Sequence, residues 1–246
     1  MRKLFIAITF LFLFLLNAAQ TNAQVRFGLK GGGNLATAAF SDDYNSVFEF
    51  LNRTELKPGM VPSFLVGAQV EFDFTPKFGL GLGLQLNGKG YQYDFDYTFQ
   101  DSVTNYKFQS KPLYVQAPVH LYFRSNGFFI GAGPYFAYGI GGKYVQTTTF
   151  GGNEDKTEGS LEFTNDYNPS QTEEPGLLYN PFDYGVGAEL GYEFGRIRIS
   201  ASYNFGLANT FSKEYADYIK ANTEYEFTGS NRVIGLAVTY LVGSGE

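Results

Sequence analysis

The 246-residue chain has one histidine, His120, and no cysteine. A Ser-His-acid site would have to take its base from His120, and no G-x-S-x-G elbow accompanies it. Zinc-type sites need clustered His or Cys ligands, and the chain supplies neither a second histidine nor a thiol. The one dense set of carboxylates, Glu154, Asp155, Glu158, Glu162, Asp166, Glu173 and Glu174, lacks the spacing of a calcium-binding loop. These residue types point to no catalytic residue, no metal ligand and no bound cofactor, and so to a chain that is not an enzyme.

The charged residues that do fall into a pattern are Lys30, Glu71, Lys89, Arg124, Glu189, Glu193, Arg196 and Arg198. Each sits in a stretch where every second residue is apolar, and each lies on the other, Gly-rich and polar face. That face also carries Gln69, Asp73, Gln85, Gln116 and His120. If it is enclosed, opposite charges must pair, because a buried ion without a partner is costly. Glu193 is expected to meet Arg196 across the turn at Gly195, and Glu189 to meet Arg198 further along the same hairpin. His120 is expected to be a satisfied interior histidine. The role of such a network is structural, a plug of paired charges.

The elements that must position these residues are strands. Period-two alternation covers residues 26–34, 63–74, 78–91, 113–124, 128–138, 184–194, 197–207 and 232–240, eight segments near the ~9–11 residues of a membrane-spanning strand. Short connections at residues 75–77, 125–127 and around 195 alternate with long ones at 37–60, 94–110, 145–180 and 211–228. The long connections hold 18 acidic and 6 basic residues, within a chain of net charge −6. An even number of strands with all long loops at one end predicts an eight-stranded antiparallel up-and-down transmembrane β-barrel. Apolar faces then meet lipid and polar faces the lumen. An eight-stranded lumen is narrow enough for side chains to fill.

Residues 1–23 read as a signal peptide, with Arg2 and Lys3, the apolar run Leu4 to Leu16 and a small-x-small site at Thr21 to Ala23. Residues 24–246 then form one barrel domain, with both mature termini in the periplasm and the long loops outside. Within those loops, Ser212 is expected to cap a helix that sets Tyr215, Tyr218 and Ile219 on one side. A second helix is expected from Ser41 to Leu51, gathering Val47, Phe50 and Leu51.

Several blocks resemble the PorT-like outer-membrane β-barrel family, small barrels of the OmpA and OmpX type. They are GLKGGGN (residues 28–34), GLGLQLNGKGY (81–91), YVQAPVHLYFR (114–124), GAGPYFAYG (131–139) and YNFGLAN (203–209). The resemblance implies an outer-membrane location in a Gram-negative-type bacterium and, through the founding member, a part in protein secretion.

The expected function is a non-enzymatic outer-membrane barrel that presents acidic, aromatic loops in a structural or protein-interaction role. The alternatives are a component of a secretion or transport assembly, and a narrow pore. Expected partners are outer-membrane lipid, the barrel-assembly machinery during insertion, and secretion-system or cell-surface proteins. Nucleic acid is not among them.

Overall fold

The structure, a computed structural model, describes residues 24–46, 57–99, 102–167 and 178–243. The predicted signal peptide lies outside the described residues. The elements lying wholly within the described residues follow in order: β1 (Gln24–Phe40), β2 (Val61–Asp73), β3 (Phe78–Gly88), β4 (Tyr91–Phe99), β5 (Ser102–Ser125), β6 (Phe128–Phe150), β7 (Asn153–Ser160), β8 (Glu162–Phe163), β9 (Leu178–Tyr179), β10 (Phe182–Phe194), β11 (Ile197–Gly206), α1 (Lys213–Asn222) and β12 (Gly229–Gly243).

Eight of the strands close a ring. β1 pairs with β2, β2 with β3, β3 with β5, β5 with β6, β6 with β10, β10 with β11, β11 with β12, and β12 again with β1. Every one of these pairings is antiparallel, so the fold is the expected up-and-down transmembrane barrel. Closure leaves no unpaired edge in the bilayer, which a lipid-facing sheet requires. The alternation decides which face is which. Leu29, Leu121, Phe128, Leu190 and Leu236 are among the outward residues, each more than 60% exposed. In water such a surface would aggregate; against acyl chains it is the stable arrangement. One tight turn is built by Asn126 (φ 52°) and Gly127 (φ 82°). Positive φ at both central residues matches the right-handed twist of the flanking strands.

The structure departs from the expected boundaries at the loop end. The stretches around 94–110 and 145–160, expected as loops, continue as strand. β3 and β4 share one register, since Gly88 pairs with Leu113 and Tyr91 with Ser110, with a break at Lys89 and Gly90. β5 and β6 run for 24 and 23 residues. Together β4, β5, β6 and β7 form a four-stranded antiparallel ribbon beyond the barrel mouth. A β-bulge at Leu113/Tyr114 lets this happen. Before it, Tyr135 and Ala137 of β6 point inward; after it, Tyr144 does. The extra residue reverses the parity of the strand. Gly141 and Gly142, at φ 153° and 149°, supply the backbone shape.

The inward face of the ribbon is aromatic and covers the mouth. Tyr91, Tyr93 and Phe95 pack with Tyr44, Leu161, Tyr179, Phe211, Tyr215 and Phe227, with Phe108 and Tyr144 alongside. The half-buried ring of Phe40 packs against this cluster, 4.6 Å from Tyr44 and 4.7 Å from Tyr91. α1 begins after Ser212, as expected, but the Ser212 side chain makes no capping hydrogen bond. Tyr215 is buried, whereas Tyr218 is 38% exposed and meets Tyr167, ring to ring, at 5.2 Å. Burial pushes the Tyr215 phenol up to about 12 and also raises that of Tyr44. Of the helix expected from Ser41 to Leu51, the described residues 42–46 are helical, and the Ser41 hydroxyl accepts the Tyr44 N–H at 3.4 Å. Val47, Phe50 and Leu51 lie outside the described residues.

Candidate functional site: the charged barrel interior

Alternation turns every second residue of each strand, mostly glycine, polar or aromatic, into a narrow lumen. Inside it, five cations face five anions in three layers along the barrel.

The layer nearest the short turns holds Arg26, Arg124 and Arg198 against Glu71, Asp73 and Glu193. Arg198 donates to Glu71 through Nη1 at 2.5 Å and Nη2 at 3.0 Å, and to Glu193 Oε1 at 2.5 Å. Arg124 reaches Asp73 Oδ1 and Glu71 Oε2, both at 2.6 Å. Arg26 joins Glu71 at 2.8 Å, Glu193 at 2.9 Å and Asp73 at 3.1 Å. Gln69 adds a donor to Glu71 at 2.6 Å. The guanidinium of Arg198 also lies over the Phe129 ring, 4.4 Å from its centre. Planar guanidinium forks suit this layer because each bonds two carboxylates at once. Below it a vestibule of about 610 Å³ opens between the short turns.

In the middle layer Lys30 Nζ lies 2.6 Å from Glu189 Oε1, and Tyr122 donates to Glu189 Oε2 at 3.3 Å. His120 Nδ1 is 3.8 Å from the same oxygen. The expected satisfied histidine is only partly so: among the described residues its Nε2 is buried without a hydrogen-bond partner. A cavity of about 20 Å³ lies beside it, lined in part by Gln85, Gln116 and Pro118. That is room for a water, not for a substrate. Pro118 brings no N–H, and the ladders to β3 and β6 are interrupted next to it.

The layer nearest the mouth holds Lys89, fully buried, with its Nζ 2.6 Å from Asp183 Oδ2. The ammonium sits over the rings of Tyr135 and Tyr114, at 4.4 and 5.0 Å. Asn231 donates to the same Asp183 oxygen at 3.0 Å. Beside it, Asn34, Asn87 and Gln116 form a chain of amide hydrogen bonds at 2.6 and 3.0 Å.

Of the charged residues singled out from sequence, Lys30, Glu71, Lys89, Arg124, Glu189, Glu193 and Arg198 stand in these layers. Arg196 does not. It is consumed by the two-residue turn with Gly195 and is exposed, and β11 begins only at Ile197. The pairings within the hairpin are corrected too. Register sets Glu193 opposite Arg198 and Glu189 opposite Ser202, so Glu193 meets Arg198, while Glu189 takes Lys30 from across the lumen. Arg26 and Asp183 were missed. Arg26 shares the polar parity of its strand, and Asp183 precedes Gly185 by one alternation step, so both carried a readable signal. Among the described residues, no group of three or more His, Cys, Asp or Glu is arranged to hold a metal ion.

The family described as outer membrane protein beta-barrel domain matches residues 18–212. No curated protein matches the sequence. Similar solved structures include Ail, the attachment invasion locus protein of Yersinia pestis, at 11% identity and TM-score 0.34, covering 88% of this chain and 98% of that one. OprG from Pseudomonas aeruginosa matches at 14% identity and TM-score 0.32, covering 92% and 99%. The outer membrane protease OmpT from Escherichia coli matches at 11% identity and TM-score 0.34, covering 89% and 96%. At these values the likeness carries no functional argument.

Proposed function

The chain belongs to the outer membrane protein beta-barrel domain family, and we propose that it works as a sealed, non-enzymatic barrel whose business is done at its loop end. One observation carries this reading: the interior is filled twice over, by neutral layers of ion pairs and by the aromatic cap above them. A side-chain-filled lumen is what eight strands allow, and it leaves no path for solutes. The surface left to meet a partner is the β4–β7 ribbon, whose last strand, NEDKTEGS, is exposed along nearly its whole length.

In this reading the short turns face the periplasm and the ribbon faces outward, from a Gram-negative-type outer membrane. The asymmetry of turn lengths and the acidity of the long connections support that orientation. A structural or protein-interaction module fits better than a pore. A place in a secretion assembly, which the PorT-like resemblance implies, is one form the interaction would take.

Two measurements test it. Reconstituted in planar bilayers, the full chain is expected to give no conductance above background; discrete ohmic steps would overturn the sealed reading. Removing residues 147–156 shortens the ribbon without touching the lipid-facing belt. Proteins that co-purify with the intact barrel after mild detergent extraction are expected to be lost from the shortened one, and their full retention would sink the interaction role.

A further inference from the structure

Lys111 of β5 and Lys143 of β6 are direct cross-strand partners. Both belong to the outward face, because the bulge turns Tyr144 inward and leaves Lys143 exposed. Like charges placed directly opposite in an antiparallel pair repel and weaken the sheet. Neighbouring lysines on that face have been given carboxylates: Lys107 has Asp94 at 3.4 Å, and Lys156 has Glu158 at 2.5 Å. Among the described residues neither Lys111 nor Lys143 is in a salt bridge. The one carboxylate near them, Glu158, sits diagonally across from Lys143 and is already bonded to Lys156. Two ammonium groups thus stand side by side with at most one shared carboxylate between them.

Their position indicates which further anion they would meet. Immediately towards the barrel, the outward residues of β6 are Ile140, Tyr138 and Phe136, each at least 50% exposed, with Phe182 of β10 beside them. The Tyr138 and Phe182 rings meet edge to face at 5.3 Å. Aromatic residues of this kind mark the level where hydrocarbon gives way to headgroups. The lysine pair stands one step above it. A soluble anion would be free to diffuse away there, whereas a lipid phosphate is held at that height by its acyl chains on the belt.

We propose that Lys111 and Lys143 together bind the phosphate of an anionic lipid headgroup in the leaflet at the loop end. The site is a two-point cationic clamp, with Tyr138, Ile140 and Phe182 seating the upper part of the acyl chains. Each lysine near an anionic surface contributes roughly fivefold to binding, so the pair is expected to give roughly 25-fold.

The full chain in maltoside micelles, titrated with phosphatidylglycerol and followed by native mass spectrometry, provides the test. Wild type is expected to bind phosphatidylglycerol at least tenfold more tightly than the Lys111→Gln/Lys143→Gln variant. Lys213→Gln, which removes a lysine paired with Asp217 on α1, is expected to bind as wild type does. Equal binding by the double variant overturns the site. Inorganic phosphate at matched ionic strength should displace the lipid only at far higher concentration; displacement at equal concentration would reveal a soluble-anion site and overturn the lipid assignment. Thermal unfolding gives an independent reading whose sign matters. In phosphatidylcholine vesicles the double variant is expected to be the more stable, because the repulsion is gone. In phosphatidylglycerol vesicles wild type should be at least as stable. The same sign in both lipids would overturn the proposal.

Discussion

Glu71 on β2 and Arg198 on β11 are joined by two hydrogen bonds, at 2.5 and 3.0 Å, and both side chains are fully buried. They are 127 residues apart in sequence and three strand pairings apart around the ring. The bond therefore spans the lumen and ties one side of the wall to the other.

Breaking this pair from one side leaves a buried charge stranded. Glu71→Gln and Arg198→Met are each expected to destabilise the barrel by ~3–5 kcal/mol. The double variant keeps the interior neutral and should cost clearly less than the sum. Urea unfolding in lipid vesicles, arranged as a double-mutant cycle, measures the coupling. Additive losses would mean that the two side chains act independently.

The lipid-facing belt gives a second expectation. Leu190 and Leu82 point outward, 61% and 39% exposed. Arginine at either position should cost ~2–4 kcal/mol near the bilayer centre and lower the folded yield. Unchanged unfolding midpoints in both variants would contradict a transmembrane belt.

Much of this was legible in the sequence, and the reason is geometric. A strand in a barrel wall has two environments and a fixed period of two, so Leu113 to Phe123 cannot alternate as they do by accident. What alternation does not encode is how many residues a turn consumes, and Arg196 was misplaced for that reason. Nor does it mark a bulge: one extra residue near Ile140 reverses the faces of β6, with only the Gly141–Gly142 pair as a sign. The ribbon looks like loop in the sequence because its apolar face is tyrosine and phenylalanine rather than aliphatic. Partners across the lumen, such as Lys30 with Glu189, depend on how the strands stagger around the ring, which no local pattern contains.

The aromatic cap should respond to alkali. The Tyr215 phenol, held neutral by burial, titrates at about 12, against an ordinary value of ~10. A raised value means that its contribution to cap stability is complete below pH ~10 and is lost as the pH rises through about 12. Near-ultraviolet circular dichroism across that interval should show the cap loosening. Tyr215→Phe, which has no phenol to ionise, should shift the transition to higher pH. Identical alkaline curves would rule out Tyr215 as a contributor.

The bulge is testable at Gly142, whose φ of 149° suits few other residues and whose added Cβ would lie 2.6 Å from the Lys111 carbonyl oxygen. Gly142→Ala is expected to cost ~1–3 kcal/mol. The loss should appear in unfolding experiments and as faster amide exchange in the ribbon, with the exchange of β10 and β11 unaffected. Uniform acceleration throughout the barrel would argue against a local role for the bulge.

Beyond the bulge, β6 returns as β7 through a turn at Gly151 and Gly152, so the outer end of the ribbon is a closed hairpin. From Lys143 to Phe150 the strand continues for eight residues after the bulge, and at ~3.3 Å per residue it carries the Gly151–Gly152 tip ~25 Å along the strand direction. Hydrogen-bonded on both sides, the strand is a stiff mast rather than a tether. Whatever it touches is met at a set distance from the bilayer, so that trimming the mast two residues at a time would lower the meeting point in measured steps.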